Sequence, residues 1–220
     1  MGSIRCSLTM LALVTVVTLE VISSAFGQSP AQISPQPPAQ ANVVIPLSVT
    51  IVLSKDFCSS KHNSAQANFF TVLLCDKLEP VLKSVFASLS RTNAPANPGG
   101  TQLTLEPKLT GFLTKAAAEG GVNVYTSVEW TARDAVGGVV WADTIVIDRR
   151  YTPSDLDKEL KQRVDKNAKG NIQTQDIGYY LGYTMRASDD QVSQLKERIS
   201  QSAELRHYAE KFTSSPQTTK

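Results

Sequence analysis

The sequence predicts an α+β fold: a four-stranded, largely antiparallel sheet with a helix packed on one face, followed by C-terminal helices. Three observations carry this. Apolar residues alternate at Val43, Ile45, Leu47, Val49, Ile51 and Leu53, the period of a strand with one buried face. Leu74, Leu78, Val81, Leu82, Val85, Phe86 and Leu89 then recur at three-and-four spacing, the stripe of an amphipathic helix. Further alternating segments follow, the last two joined by Asp134-Ala135-Val136-Gly137-Gly138, whose glycines supply the positive φ of a tight hairpin.

The chain opens with Arg5, an apolar run over Leu8 to Leu19, and Ala25-Phe26-Gly27, which has the small-x-small form of a signal-peptidase site. The run is about 12 residues, short of the roughly 20 that span a bilayer, and Glu20 blocks its extension. Residues 1–27 are read as a cleaved secretory signal. The alternative is an uncleaved signal ending near Phe26, which would hold the protein to the membrane. Residues 28–42, rich in Pro, Gln, Ala and Ser without apolar periodicity, form an extended tether.

The folded domain is expected over 43–150. After the first strand and a polar loop from Lys55 to Asn63, the helix is predicted from about Ser64 to Ser90. Pro80 either kinks it or divides it in two, and a kink is favoured. Three strands follow: Thr101–Thr114, where Pro107 implies an edge or a bulge, Val122–Ala132 and Val139–Ile147. Residues 151–212 read as helical. Thr152-Pro153-Ser154-Asp155 places a cap before a proline, Leu156, Leu160 and Val164 form a narrow stripe, and Gly170 stops that helix. Ser188-Asp189-Asp190-Gln191 reads as a capping box opening a last helix to about Phe212. Its stripe of Val192, Leu195 and Ile199 loses phase near Leu205, so this helix is expected to dock loosely. Residues 213–220 form a frayed tail.

Composition narrows the function. The 220-residue chain carries a formal charge of +2, far from the basic excess that neutralises several phosphates, so nucleic acid is not an expected partner. Among three cysteines, Cys6 falls in the signal, leaving Cys58 and Cys75. In an exported chain two cysteines are most simply a disulfide. Free thiols, or a site built with His62 in Cys58-Ser59-Ser60-Lys61-His62, are the alternatives. The second histidine, His207, lies in a charged helical segment.

No catalytic residue, metal ligand or cofactor site is assigned. Asn97-Pro98-Gly99-Gly100 and Glu119-Gly120-Gly121 match no phosphate-binding loop. Glu106, Glu129, Asp134, Asp143 and Asp148 lie on or beside strands. Of these, Asp143 falls in phase with Trp141, Ile145 and Ile147, so it needs a partner if buried or a bulge that turns it outward. The uncharged segment Tyr179-Tyr180-Leu181-Gly182-Tyr183-Thr184-Met185 is read as a joint between helices. It either plugs the sheet edge or offers Tyr179, Tyr180, Tyr183 and Met185 as a partner contact, since uncharged aromatic patches mark interfaces.

The run Tyr125-Thr126-Ser127-Val128-Glu129-Trp130, then Asp134, Gly137, Val139-Val140-Trp141 and Asp143-Thr144, resembles a hairpin in small bacterial envelope lipoproteins. These are the ABC-transporter auxiliary components and the lipopolysaccharide-assembly lipoprotein. The resemblance covers residues 43–150 and departs in one respect: Cys6 has no lipobox. It implies an accessory or assembly role without catalysis. The expected function is a non-enzymatic exported envelope protein, periplasmic or envelope-associated, that binds a protein or lipid partner. An exported hydrolase or thiol-dependent enzyme and a small-molecule binding module are the alternatives, and the oligomeric state is open.

Overall fold

The computed structural model describes residues 44–58, 62–94, 101–118 and 120–213. The signal (1–27), the tether (28–42) and the tail beyond Thr213 lie outside the described residues. The order is β1 (Ile45–Val52), α1 (Lys55–Cys58), α2 (Ala65–Lys83), β2 (Phe86–Thr92), β3 (Leu103–Ala116), β4 (Val122–Asp134) and β5 (Val139–Tyr151). A 3₁₀ turn at Pro153–Asp155 follows, then α3 (Lys158–Ala168), α4 (Ile172–Gln201) and α5 (Ala203–Thr213).

The sheet has five strands in the order β2-β1-β3-β4-β5, one more than expected, and it is mixed. β1 runs parallel to both β2 and β3, whereas β3, β4 and β5 form an antiparallel meander. The extra strand takes the place of the last turns of the expected helix. α2 ends at Lys83 with Ser84 as its cap, and Phe86 to Thr92 pairs with β1. α2 is thus a crossover between two parallel strands, which no tight turn can join. The helix passes through Pro80 as one element. β2 imitated a helix because Val85, Phe86 and Leu89 happen to continue the spacing of α2. Most of its residues are exposed, as on an edge strand.

The hairpin between β4 and β5 forms as predicted. Asp134 Oδ1 accepts the amides of Val136 at 3.1 Å and Gly138 at 2.7 Å, and Gly137 takes φ +88°. Pro107 lies beyond Leu105, the last β3 residue paired with β1, so β3 has a single strand neighbour there. A bulge follows between Leu109 and Gly111. The single neighbour suits a residue without an amide proton; the bulge lies past Pro107, which stays in register with Trp130.

One core unites the sheet and the helices. Leu47 and Ile51 of β1, Leu74 and Leu78 of α2, Val128 and Trp130 of β4, and Leu195 and Ile199 of α4 are all fully buried within it. The expectation of a loosely docked last helix is therefore corrected. Leu205 of α5, out of phase with the stripe of α4, is also buried, because the chain bends at Ser202 and re-aims the stripe. The helix does not begin at Ser188 either: α4 runs unbroken through 188–191.

Cys58 and Cys75 are disulfide-bonded, with Cα atoms 5.9 Å apart, tying α1 to α2. His62, the proposed third member of a thiol or metal site, instead closes the loop: Nε2 lies 3.0 Å from the Phe57 carbonyl and its amide donates to Asn68 Oδ1.

Leu78→Ala and Ile51→Ala are each expected to destabilise the fold by about 2–5 kcal/mol, measured by denaturant unfolding; near-neutral behaviour of both would contradict the shared core. Replacing Cys58 and Cys75 with serine is expected to cost about 3 kcal/mol, the loop-closure value for this spacing. The same titration reads that loss.

Candidate functional site

With 30 residues, α4 contains more residues than any other element among the described residues, and at about 1.5 Å per residue it spans about 45 Å. Its buried residues begin at Gly182, and none of 172–181 is buried. α3 packs back on this first part of α4, forming a helical arm. Asp157 caps α3 through the Leu160 amide at 2.7 Å, and Asn171 caps α4 through the Thr174 amide at 3.1 Å. Gly170, at φ +81°, makes the turn between them. α3 does not start at the Thr152-Pro153 cap. That segment forms the 3₁₀ turn, where Asp155 Oδ2 accepts from the amide and hydroxyl of Thr152, both at 2.8 Å.

The two helices approach closely because Gly178 and Gly182 face α3. A Cβ on Gly178 would lie 2.7 Å from Val164, and one on Gly182 would lie 3.0 Å from Leu156. Asp165 of α3 adds a polar tie, accepting from Gln175 Nε2 at 2.8 Å and Tyr179 Oη at 3.1 Å.

The base of the arm is clamped from two sides. On one, Lys77 of α2 donates to Asp189 at 2.6 Å, Ser188 at 2.8 Å and the Met185 carbonyl at 3.2 Å. On the other, Asp190 accepts from Tyr151 Oη at 2.7 Å and Arg149 at 3.3 Å, while Arg149 also holds Asp155 at 2.8 Å. The residues that imitated a capping box thus bind neighbouring elements. Burial pushes the Tyr151 phenol well above its ordinary range, reinforced by the bond to Asp190, so it stays a donor. The Thr152 amide and hydroxyl, joined by Arg149, hold Asp155 below the usual carboxylate range.

The predicted contact residues separate in the structure. Tyr183 is buried in the core and stacks on Tyr179 at 6.2 Å between ring centroids, so its ring is not offered to a partner. This corrects its assignment; the segment is helix interior rather than a joint, and its inner side belongs to the core. Tyr179 and Tyr180 are half-exposed. Met185 lines a cleft of about 330 Å³ with Leu156, Leu160 and Arg186. The large hydrophobic side chains exposed on the arm are aliphatic: Ile172 (72%), Ile177 (63%) and Leu181 (39%). The four-residue spacing of Ile177 and Leu181 was the signal available for them, since it places both along one side of a helix.

Of the other candidates, Asp143 is half-buried, accepts the Thr144 amide at 2.8 Å and faces Arg198 at 3.9 Å. His207 pairs with Glu210 on the exposed side of α5. Among the described residues no group of three His, Cys, Asp or Glu side chains could hold a metal ion, and no helix is long and apolar enough to cross a membrane.

No family model matches this chain, and no curated protein matches it. Among solved structures it is similar to a Xanthomonas campestris protein of the DUF330 family model, at 9% identity and TM-score 0.45, covering 81% of this chain and 93% of that one. It is also similar to a putative neuraminyllactose-binding hemagglutinin homolog from Helicobacter pylori, at 9% identity and TM-score 0.41, covering 82% and 97%. A minor lipoprotein from Acinetobacter baumannii follows at 15% identity and TM-score 0.36, covering 72% and 93%. Each is a likeness in outline.

Gly178→Leu is expected to push α3 off α4, so that limited proteolysis cuts within 158–176 faster than in the parent while the sheet resists; an unchanged digest would contradict the close packing. Because the pKa of Asp155 is depressed in the fold, its stabilisation is present above the unfolded-state value near 3.9. It is lost as pH falls through the lower folded value. The Tm gap between the parent and Asp155→Asn should therefore be widest well above the unfolded-state value and narrow progressively as pH falls below about 3.9, as followed by circular dichroism.

Proposed function

We propose that this chain is a non-enzymatic, exported bacterial envelope protein that captures a protein or lipid partner on the α3–α4 arm, as an accessory or assembly factor. The observation that carries the reading is the exposure of Ile177 and Leu181, four residues apart along one side of the first third of α4, which reaches past the core; Ile172 is exposed there on another face. Large aliphatic side chains held in water on a rigid helix favour an apolar partner surface. The disulfide supports export, because such bonds persist in oxidising compartments. Tyr180, three residues from Ile177, and Met185, four from Leu181, lie along the same side of α4, so two of the four aromatic-segment residues remain in the proposed contact, whereas Tyr179 is turned to Asp165 and Tyr183.

Ile177→Asp with Leu181→Asp is expected to abolish capture in crosslinking and pull-down from intact envelopes while leaving stability within about 0.5 kcal/mol, as for exposed positions. A parent protein that captures nothing, or a double variant that captures equally well, would overturn the proposal.

A further inference from the structure

We infer that β5 is a self-pairing edge: two copies of this chain join antiparallel through β5, about a twofold axis at Val146. β5 pairs with β4 on one side and with no strand on the other among the described residues. It is 13 residues long, and a long open edge with exposed apolar side chains is a template for another strand. Val146 is 44% exposed and Val139 56%. Beside this edge runs a groove of about 440 Å³, lined on the strand by Val146, Asp148 and Arg149 and on α4 by Asp190, Ser193 and Gln194. A strand edge flanked by a helix is the setting in which strand addition occurs.

Charge complementarity selects a second copy and one register. A twofold interface is isologous, so each pairing occurs twice. Centred on Val146, the register sets Asp143 opposite Arg149 of the second copy. It also sets Thr144 opposite Asp148, Ile145 opposite Ile147 and Trp141 opposite Tyr151. Opposite charges directly across strands stabilise the pair, and like charges destabilise it. Centring on Asp148 would set that carboxylate against itself, and centring on Ile145 would set Asp143 against Ile147 and Arg149 against Trp141.

The edge is also guarded. Asp143 Oδ1 occupies the Thr144 amide at 2.8 Å, and charged side chains on an edge discourage indiscriminate pairing. Arg198 of the same chain lies 3.9 Å from the other carboxylate oxygen and leaves this bond in place, so the amide is freed when a pairing strand presents a closer cation opposite Asp143. Arg149 of a second copy does this while keeping Asp155 and Asp190 of its own chain within reach.

The test uses the purified chain, by sedimentation velocity over a concentration series and by non-reducing gels after mild oxidation. Directly opposed residues lie about 4.5–5.5 Å apart, so Val146→Cys should crosslink to itself and give a reducible covalent dimer. Thr144→Cys should crosslink far more slowly, because it faces Asp148. Asp143→Arg should raise the dimer dissociation constant at least tenfold, and Asp143→Glu, which keeps the charge, should leave it nearly unchanged. If Asp143→Arg does not fold, as judged by circular dichroism, Asp143→Asn takes its place with the same expected direction. A chain that stays monomeric throughout, a Thr144→Cys variant that crosslinks as fast as Val146→Cys, or an edge occupied by a strand of a different protein would overturn the inference. None of these outcomes bears on capture by the arm.

Discussion

Gln191 sits fully buried between α4 and the sheet, with both ends of its amide engaged. Its Oε1 accepts from Thr126 of β4 at 3.1 Å, and its Nε2 donates to the Ile145 carbonyl of β5 at 3.2 Å. An uncompensated amide at this depth would cost about 1–3 kcal/mol, so a helix slid by one turn in either direction would leave it unpaired. Apolar contacts made by Val192, Leu195 and Ile199 favour burial of this face but tolerate several registers; the amide selects one. With Gln191 set over β4 and β5, Asp190 falls against Tyr151 and Arg149, and Asp189 falls against Lys77. The length of α4 that extends beyond the core follows from that register.

This arrangement joins a stable body and an interaction surface within a single helix. The part of α4 that carries exposed aliphatic residues is continuous with the part that fills the core, so the arm is rigid at its base and needs no hinge. Its companion α3 is held by close approach over two glycines rather than by a large core of its own. Energetically, the arm costs little to build and leaves Ile172, Ile177 and Leu181 uncovered. Burying each of these side chains against a partner stabilises the complex by about 1.5–3 kcal/mol before the cost of association.

Elements with a clean period and a local turn code were legible in the sequence. β1 alternates from Ile45 to Ile51, and β4 and β5 alternate around a turn whose aspartate and glycine chemistry leaves little choice. The disulfide was legible because just two cysteines, Cys58 and Cys75, lie in the stretch expected to fold. β2 was not: it is short and mostly exposed, and its apolar residues fall by coincidence in the phase of the preceding helix. α4 was divided in two because Ser188, Asp189 and Asp190 look like a cap when read locally. Their partners, Lys77, Tyr151 and Arg149, are distant in sequence. The same distance hid Gln191. The aromatic segment stands out because it is uncharged, but only its helical phase separates Tyr183, which turns inward, from Ile177 and Leu181, which remain in water.

Native-state hydrogen exchange along residues 172–212 tests the account most directly, because it depends on α4 being one helix anchored in the core. Amides from about Tyr183 to Ile199 should open only with global unfolding, at the same free energy as β4, while those of 172–181 open at lower free energy without dragging the core with them. Exchange of 186–199 well ahead of the sheet would show a helix that is merely docked, and the structural basis for the arm would be lost.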